Sequence, residues 1–182
     1  YRIIKEKIPI NLELVKKNKL VENLAERELT NPEGAGFDLR IGEIYKITGD
    51  AFLGETERKT PDIELIAAYT KGKRKSFTFE PGDFYLVKTI ESVNLPKNMT
   101  AHIYPRSTTF RSGLFIRTTN VHPGYSGGLT FGLKNEGSVQ VKIEMGARFV
   151  HIQFQMVHGG GSAYRGQWQG GRVSATKREK QV

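Results

Sequence analysis

Hydrophobic and polar residues alternate through most of the chain from residue 37 onward, as they do in strands that bury one face. The alternating runs are short and are separated by glycine, proline and asparagine, which favour turns. Many short strands with few helices predict a mostly β domain, either a sandwich or a partly closed barrel. The predicted strands cover residues 37–47, 99–105, 113–119, 129–135, 139–145 and 148–157, and residues 76–96 form two strands around a Pro-Gly turn.

The first part of the chain has a different period. Within residues 11–28, apolar residues recur near helical spacing with charged residues between them, which predicts one short amphipathic helix. The apolar positions are Leu12, Val15, Leu20, Val21 and Leu24. We expect this helix to be the preface of one domain that spans residues 1–158.

The composition changes again at residues 159–171, GGGSAYRGQWQGG, where glycine and polar aromatics replace the alternating pattern. This change predicts that the packed body ends there and that residues 159–182 form a Gly-rich lid or tail. A disordered terminus is the alternative. Trp168 argues against disorder, because a lone tryptophan among glycines usually packs against something.

Composition and charge narrow the class of protein. There are no cysteines, which excludes disulfides, thiolate metal sites and a cysteine nucleophile. No apolar run approaches the roughly 18 residues of a membrane span, so we expect a soluble, cytoplasmic protein with no membrane partner. The net charge of +9 favours anionic partners. Its basic clusters lack interleaved aromatics, so nucleic acid is not the expected partner.

Residues 104–136 carry the candidate chemistry, and an arginine-rich turn is its first part. The side chains of this turn suit a triphosphate, because guanidinium groups bind pairs of phosphate oxygens while hydroxyls and backbone N–H groups complete an anion site. The alternative is a turn held by surface carboxylates. The candidate phosphate-binding residues are Arg106, Ser107, Thr108 and Arg111.

Several segments resemble, in the same order, the motifs of the family that joins trimeric dUTP diphosphatases with dCTP deaminases. They are GFDLRIG at 36–42, EPGDFYLVKTIESVNLP at 80–96, PRSTTFRSGL at 105–114, HPGYSGGLTFGLKNEG at 122–137, GARFVHIQF at 146–154 and YRGQWQGG at 164–171. The resemblance implies a distorted β jelly-roll, the β-clip of dUTPases, that assembles as a homotrimer. It also implies active sites at subunit boundaries, each closed by a C-terminal lid. The implied ligand is a deoxynucleoside triphosphate with Mg²⁺ held mainly by phosphates and water.

The resemblance assigns roles within the HPGY turn. Tyr125 matches the tyrosine that stacks beneath the deoxyribose in dUTP diphosphatases, and its alternative is an ordinary core tyrosine. His122 stands where those enzymes have an aspartate that activates the attacking water. An imidazole can also act as a general base, so His122 is a candidate catalytic residue together with Arg111. The alternative for His122 is a hydrogen-bonded histidine in a slow or inactive site.

Gly132 and the hairpin before His122 bear on the substrate. Deaminases of the family carry a glutamate at the position of Gly132, where it moves protons during deamination, and glycine has no side chain for that role. In the hairpin, Asn120 is a candidate contact to the base edge, with Thr118 and Thr119 beside it. The base itself, uracil or cytosine, stays open.

In the tail, Tyr164, Gln167 and Gln169 match the segment that the family folds over the substrate. Gln167 replaces the usual lysine, which removes one positive contact to phosphate, and Arg165 or Arg172 is a candidate replacement. In the first motif, Asp38 and Arg40 are predicted to form a structural ion pair. No cluster of histidines and carboxylates at ligand spacing is present, so no metal held by the protein is expected.

These observations predict an enzyme that hydrolyses dUTP to dUMP and pyrophosphate. Two alternatives remain from the same residues. One is a nucleotide-binding relative with weak or no catalysis, because His122, Gly132 and Gln167 depart from the family pattern. The other is a dCTP deaminase, which Gly132 disfavours.

Overall fold

The protein, described here from a computed structural model, is built almost entirely of short antiparallel strands. The structure describes residue 15, residues 19–159 and residues 161–181. In that part of the chain the elements are β1 (Val21–Glu22), α1 (Glu26–Thr30), β2 (Gly36–Thr48), β3 (Phe52–Leu53), β4 (Glu57–Lys59), β5 (Asp62–Ala68), β6 (Ser76–Phe79), β7 (Phe84–Asn94), β8 (Met99–Pro105), α2 (Ser107–Arg111), β9 (Leu114–Arg117), β10 (Ser126–Asn135), β11 (Val141–Glu144), β12 (Arg148–Met156) and β13 (Glu179–Lys180).

The main sheet has the strand order β8-β12-β2-β7-β10-β9, with β1 beside β7 and β5 beside β2. An isolated bridge between Ala101 of β8 and Val121, after β9, brings the two ends of this sheet together, so the sheet is nearly closed into a barrel. Smaller sheets, β11-β6 and β13-β4-β3, lie outside this path. The mostly β fold that the sequence predicted is confirmed, and the long strands begin and end close to the predicted positions.

Alternation along the strands fills the interior of the barrel. Strand β7 shows the pattern most clearly, because Val87, Thr89, Glu91 and Val93 are buried while their neighbours are partly exposed. The same rule places large apolar side chains from several strands in one core. These include Phe37, Leu39, Ile41, Phe131, Leu133, Phe149 and Ile152.

The helix predicted over residues 11–28 is wrong over residues 19–25, whereas Val15 is helical and residues 26–28 lie in α1. Leu20 and Val21 are buried in extended chain, and β1 pairs with β7 there. Lys19 and Asn23 have left-handed backbone, with φ of 49° and 62°, and a right-handed helix cannot pass through such residues. Residues 11–14 and 16–18 of the predicted helix lie outside the described residues.

Candidate active site

A cleft of about 610 Å³ lies between the β9–β10 loop, the inner part of β10 and the C-terminal tail. Its wall is largely apolar and aromatic, with hydroxyl, amide, imidazole and guanidinium groups at intervals. The side chains that line it are Ile47, Arg58, Thr60, Pro61, Phe84, Leu86, Thr118, Thr119, Asn120, Val121, His122, Tyr125, Leu129, Thr130, Phe131, Tyr164, Trp168, Arg172 and Val173.

The HPGY turn sets the position of the central residues of the cleft. Val121 exchanges backbone hydrogen bonds of 2.8 and 3.0 Å with Ala101, which fixes the start of the turn. The N–H of Tyr125 then donates to the carbonyl of His122 at 3.2 Å, and Gly124 takes a left-handed φ of 78° that suits glycine. The turn therefore places His122 at the rim and Tyr125 in the wall.

Tyr125 is held rigidly in that wall. It is 8% exposed, and its hydroxyl donates to the carbonyl of Gly128 at 2.7 Å. Burial raises the pKa of Tyr125 to about 12, so its hydroxyl stays protonated at neutral pH. Its ring meets Tyr164 edge-on at 5.4 Å, which joins the wall to the tail.

His122 is exposed at the rim and stacks on a ring of the tail. The ring centroids of His122 and Tyr164 are 5.9 Å apart and the planes are 12° from parallel. The hydroxyl of Tyr164 accepts a hydrogen bond from the backbone N–H of Trp168 at 3.1 Å, which fixes that ring. The tail therefore orients the imidazole toward the cleft opening.

Backbone and amide hydrogen bonds dock the tail on the HPGY turn. Gln169 clamps the turn, because its amide donates to the carbonyl of Gly124 at 3.2 Å and its oxygen accepts from the N–H of Ser126 at 3.3 Å. Gln167 instead donates to the carbonyl of Lys180 at 2.8 Å and does not line the cleft. The two tail glutamines thus stabilise the tail from opposite sides.

The arginine-rich segment is a short helix, α2, that lies away from this cleft in the same chain. Ser107, Thr108 and Arg111 are exposed on it. The guanidinium carbon of Arg111 lies 5.7 Å from the centroid of the Phe110 ring. None of the candidate phosphate-binding residues is among those that line the cleft. The structure therefore divides the predicted site into a cleft group and an α2 group.

Arg106, at the start of α2, is anchored by a buried carboxylate of β2. Its Nε lies 2.7 Å from Asp38, which also accepts from Arg148 at 2.9 Å and contacts His151 at 3.0 Å. Arg40 pairs with the buried Glu91 at 2.6 Å. The predicted ion pair between Asp38 and Arg40 is therefore wrong, because each residue pairs with a partner from another part of the chain, Asp38 with Arg106 and Arg148 and Arg40 with Glu91.

The space above Gly132 is filled by an aromatic ring of β7. A Cβ atom at position 132 would lie 2.8 Å from Cε2 of Phe84 and 3.1 Å from Cβ of Arg117. Phe84 itself lines the cleft. Within the described part of the chain, no aspartate or glutamate lines the cleft, and the imidazole of His122 is its only side chain of ordinary general-base type.

Several residues that shape the cleft carry no signal in the sequence. Arg58, Thr60 and Pro61 come from β4 and the residues after it, where no motif was recognised, and the cleft also takes Leu86 from β7. The tail reaches β4 through β13, which pairs Glu179 with Arg58. That pairing joins residues far apart in the chain, so no local sequence pattern predicts it.

The sequence model of the dCTP deaminase-like family matches residues 9–157. A probable deoxyuridine 5′-triphosphate nucleotidohydrolase of Methanothermobacter thermautotrophicus is 31% identical over 142 residues, which are 78% of this chain and 89% of that protein. A dCTP deaminase of Pyrococcus furiosus is 31% identical over 168 residues, which are 91% of this chain and 95% of that protein. The chain belongs to the dCTP deaminase-like family, which confirms the family indicated by its motifs.

A solved structure supports the fold. The 2′-deoxycytidine 5′-triphosphate deaminase of Agrobacterium tumefaciens superposes with a TM-score of 0.62 at 20% identity, over 81% of this chain and 46% of that chain. In the described ranges, no helix has the length and apolar character that crossing a membrane requires. Those ranges also contain no group of three or more His, Cys, Asp or Glu residues arranged for a metal ion.

Proposed function

We propose that this protein hydrolyses dUTP to dUMP and pyrophosphate. Two residues together carry the proposal. His122 places a base at the rim of the cleft, and Gly132 has no carboxylate that could act on the ring of a bound pyrimidine. Hydrolysis needs a group that takes a proton from water, and His122 can do so. Deamination in the manner of the family needs a side chain at position 132.

The cleft suits a pyrimidine deoxynucleoside. Its volume of about 610 Å³ falls within the range of roughly 300–1,000 Å³ typical of small-molecule sites. The aromatic face of Tyr125 gives the sugar a flat apolar surface, and its buried hydroxyl is already bonded to Gly128. Asn120, with Thr118 and Thr119, offers donors and acceptors for the base edge.

The phosphate groups of the proposed substrate extend toward the α2 group of a neighbouring subunit. In one chain the cleft and α2 are separate, so a complete site requires a second copy. We propose a homotrimer in which Arg106, Ser107, Thr108 and Arg111 of one subunit face the cleft of the next. The anchor of Arg106 on Asp38 leaves its outer nitrogens available for phosphate oxygens.

In the proposed reaction a water molecule attacks the α-phosphorus. A bond forms between the water oxygen and phosphorus, and the bond from phosphorus to the α–β bridging oxygen breaks as pyrophosphate leaves. His122 takes the proton of the water. Arg111 and Arg106 stabilise the negative charge that grows on the phosphate oxygens. Tyr164 keeps the imidazole oriented and, with the tail over residues 159–182 acting as a lid, excludes bulk water.

In the proposed reaction, magnesium is bound by the phosphate oxygens of the substrate rather than by side chains of the protein. The described residues hold no acidic or histidine cluster suited to a metal ion, and the described cleft wall carries no carboxylate. Magnesium typically keeps several water ligands and binds triphosphates through their oxygens. It would reach the site with dUTP and neutralise part of its charge.

A nucleotide-binding protein without turnover is the second candidate. His122 lacks the negative charge of a carboxylate, and Gln167 donates its hydrogen bond to Lys180 within the tail. Both departures from the family pattern remove a group that would act on the substrate. This candidate predicts tight binding of dUTP without product.

Assays of the purified protein with magnesium separate these functions. Incubation with dUTP should release pyrophosphate and dUMP, and incubation with dCTP should release no ammonia. Binding of dUTP without pyrophosphate at any pH between about 6 and 9, a range that spans imidazole protonation, would establish the second candidate. Release of ammonia from dCTP would contradict the proposal.

A further inference from the structure

Arg58 of β4 is a cation of the cleft that no recognised motif contains. It lines the cleft together with His122 and Tyr125 of the same chain. Its guanidinium carbon lies 5.2 Å from the centre of the Trp168 ring, a distance at which a cation is attracted to the aromatic face. Arg58 is therefore held in place by the tail.

The other arginine on the cleft wall is already occupied. Arg172 donates from Nη1 and Nη2 to Glu179 at 3.0 and 2.5 Å, and from Nε to the carbonyl of Ser174 at 2.9 Å. Three of its five N–H groups are bonded within the tail and its charge is paired with Glu179, so Arg172 is less available than Arg58 to replace the lysine of the family motif. Arg165 is exposed and does not line the cleft.

Arg58, in contrast, has donors to spare. Its Nε is buried without a hydrogen-bond partner, and in the described part of the chain no carboxylate lies within ion-pair distance of it. Glu179 is its partner in the strand register, but that carboxylate is engaged by Arg172. The buried Nε–H is unfavourable without an acceptor, and the rest of this partly exposed guanidinium also has no hydrogen-bond partner among the described residues.

Stacking on an indole covers the face of a guanidinium and leaves its edge free. The edge carries the N–H groups that bind phosphate oxygens in pairs. We propose that Arg58 binds a phosphate of the nucleotide in the cleft, with Trp168 as its positioning residue. This inference rests on the proposed function and adds to it a contact from the cleft's own subunit.

Calorimetric titration with α,β-imido-dUTP and with inorganic tripolyphosphate tests the inference. Arg58→Gln should weaken both affinities by at least about tenfold, the loss expected for a charge-assisted hydrogen bond. Arg58→Lys, which keeps the charge and loses the fork, should fall in between. Arg178→Gln is the matched control, because Arg178 also covers a ring, Phe52 at 4.2 Å, yet does not line the cleft. It should bind as the wild type does.

The outcomes separate this inference from the proposed function. Unchanged affinity of Arg58→Gln, or an equal loss in Arg178→Gln, would overturn the role of Arg58. Binding of tripolyphosphate that depends on Arg58, without binding of the nucleotide analogue, would keep the anion contact and overturn dUTP as substrate. A wild type that binds neither probe would overturn both. If Arg58→Gln melts early, Arg58→Lys decides, since it should retain the melting temperature and still bind more weakly.

Discussion

His122 differs from the expected carboxylate in charge as well as in basicity. An imidazole accepts a proton from water only while it is neutral, and it carries no negative charge that orients the water. The stacking of His122 on Tyr164 instead fixes the orientation of the imidazole ring. In the proposed mechanism, removal of the proton from the attacking water therefore depends on one exposed imidazole ring.

Replacement of His122 by alanine should lower kcat for dUTP hydrolysis by about 10²–10⁴-fold, the usual contribution of general-base catalysis. His122→Asp should keep more activity than His122→Ala. A carboxylate at this position would restore the negative charge that the imidazole lacks. Pyrophosphate release from dUTP decides between these outcomes. Equal rates for wild type and His122→Ala would remove His122 from the mechanism.

The residues of the HPGY turn could be identified from sequence because they are consecutive. A short turn between strands brings His122 and Tyr125 together whatever the rest of the fold does, and both line the cleft. Arg58 could not be found in this way. Its place in the cleft depends on the Trp168 ring and on β13, which lie more than a hundred residues further along the chain. The absence of a side chain at Gly132 could be read from the sequence, yet the ring of Phe84 that fills the space above it was not predictable.

The backbone of the tail packs closely against β10 at Gly171. Its backbone passes so close to β10 that a Cβ atom on Gly171 would lie 2.8 Å from the backbone nitrogen of Gly128. Neighbouring Gly170 has nothing within 4 Å of the same position, although its φ of 77° nearly equals the 76° of Gly171. The two glycines therefore have nearly the same φ and differ in the space around a Cβ atom.

Gly171→Ala should therefore displace the tail, while Gly170→Ala should carry only the strain of a left-handed residue, about 1–2 kcal/mol. Trp168 is the only tryptophan in the chain, so its fluorescence reports the tail without labelling. Gly171→Ala should shift that emission to the red and raise KM for dUTP. Equal spectra for the two variants would mean that the close approach of the backbones does not hold the tail.

Lowering the pH should loosen the docking of the tail. Hydrogen bonding to Arg172 lowers the pKa of Glu179, so the ion pair stabilises the docked tail above the ordinary pKa of a glutamate, and that stability is lost as pH falls through the lowered value. Trp168 emission should shift to the red on acidification before the barrel unfolds. Glu179→Gln is the control and should show a weaker dependence on pH, whereas an identical pH profile would exclude this ion pair.

At the level of elements, alternation predicted the long strands because each buries one face in the barrel. The strands β3, β4, β5 and β13 were missed. Two or three residues hold no detectable period, the pairing of β13 with β4 joins distant segments, and most side chains of β5 are exposed or partly exposed. The helix over residues 11–28 was wrong from Lys19 to Ala25, because apolar spacing alone does not reveal that Val21 pairs with β7 in extended chain. Long-range pairing overrides local periodicity in both cases.

At the scale of the whole molecule, the cleft and α2 are separate surfaces of one chain. Arg111 is exposed and away from the cleft, and His122 is exposed at its rim. Both observations fit a site that two neighbouring copies complete. A cyclic trimer would form three such sites, each with α2 from one subunit and the cleft from another.

Mixing two inactive variants tests this account most directly. Arg111→Ala and His122→Ala subunits, each inactive alone, are unfolded, mixed in equal amounts and refolded, and pyrophosphate release from dUTP is measured. If sites form between subunits, about a quarter of them regain both intact residues, so activity should recover to about a quarter of that of the wild type treated in the same way. Activity that stays at the level of the separate variants, while wild-type subunits refold to active trimers, would contradict a shared site.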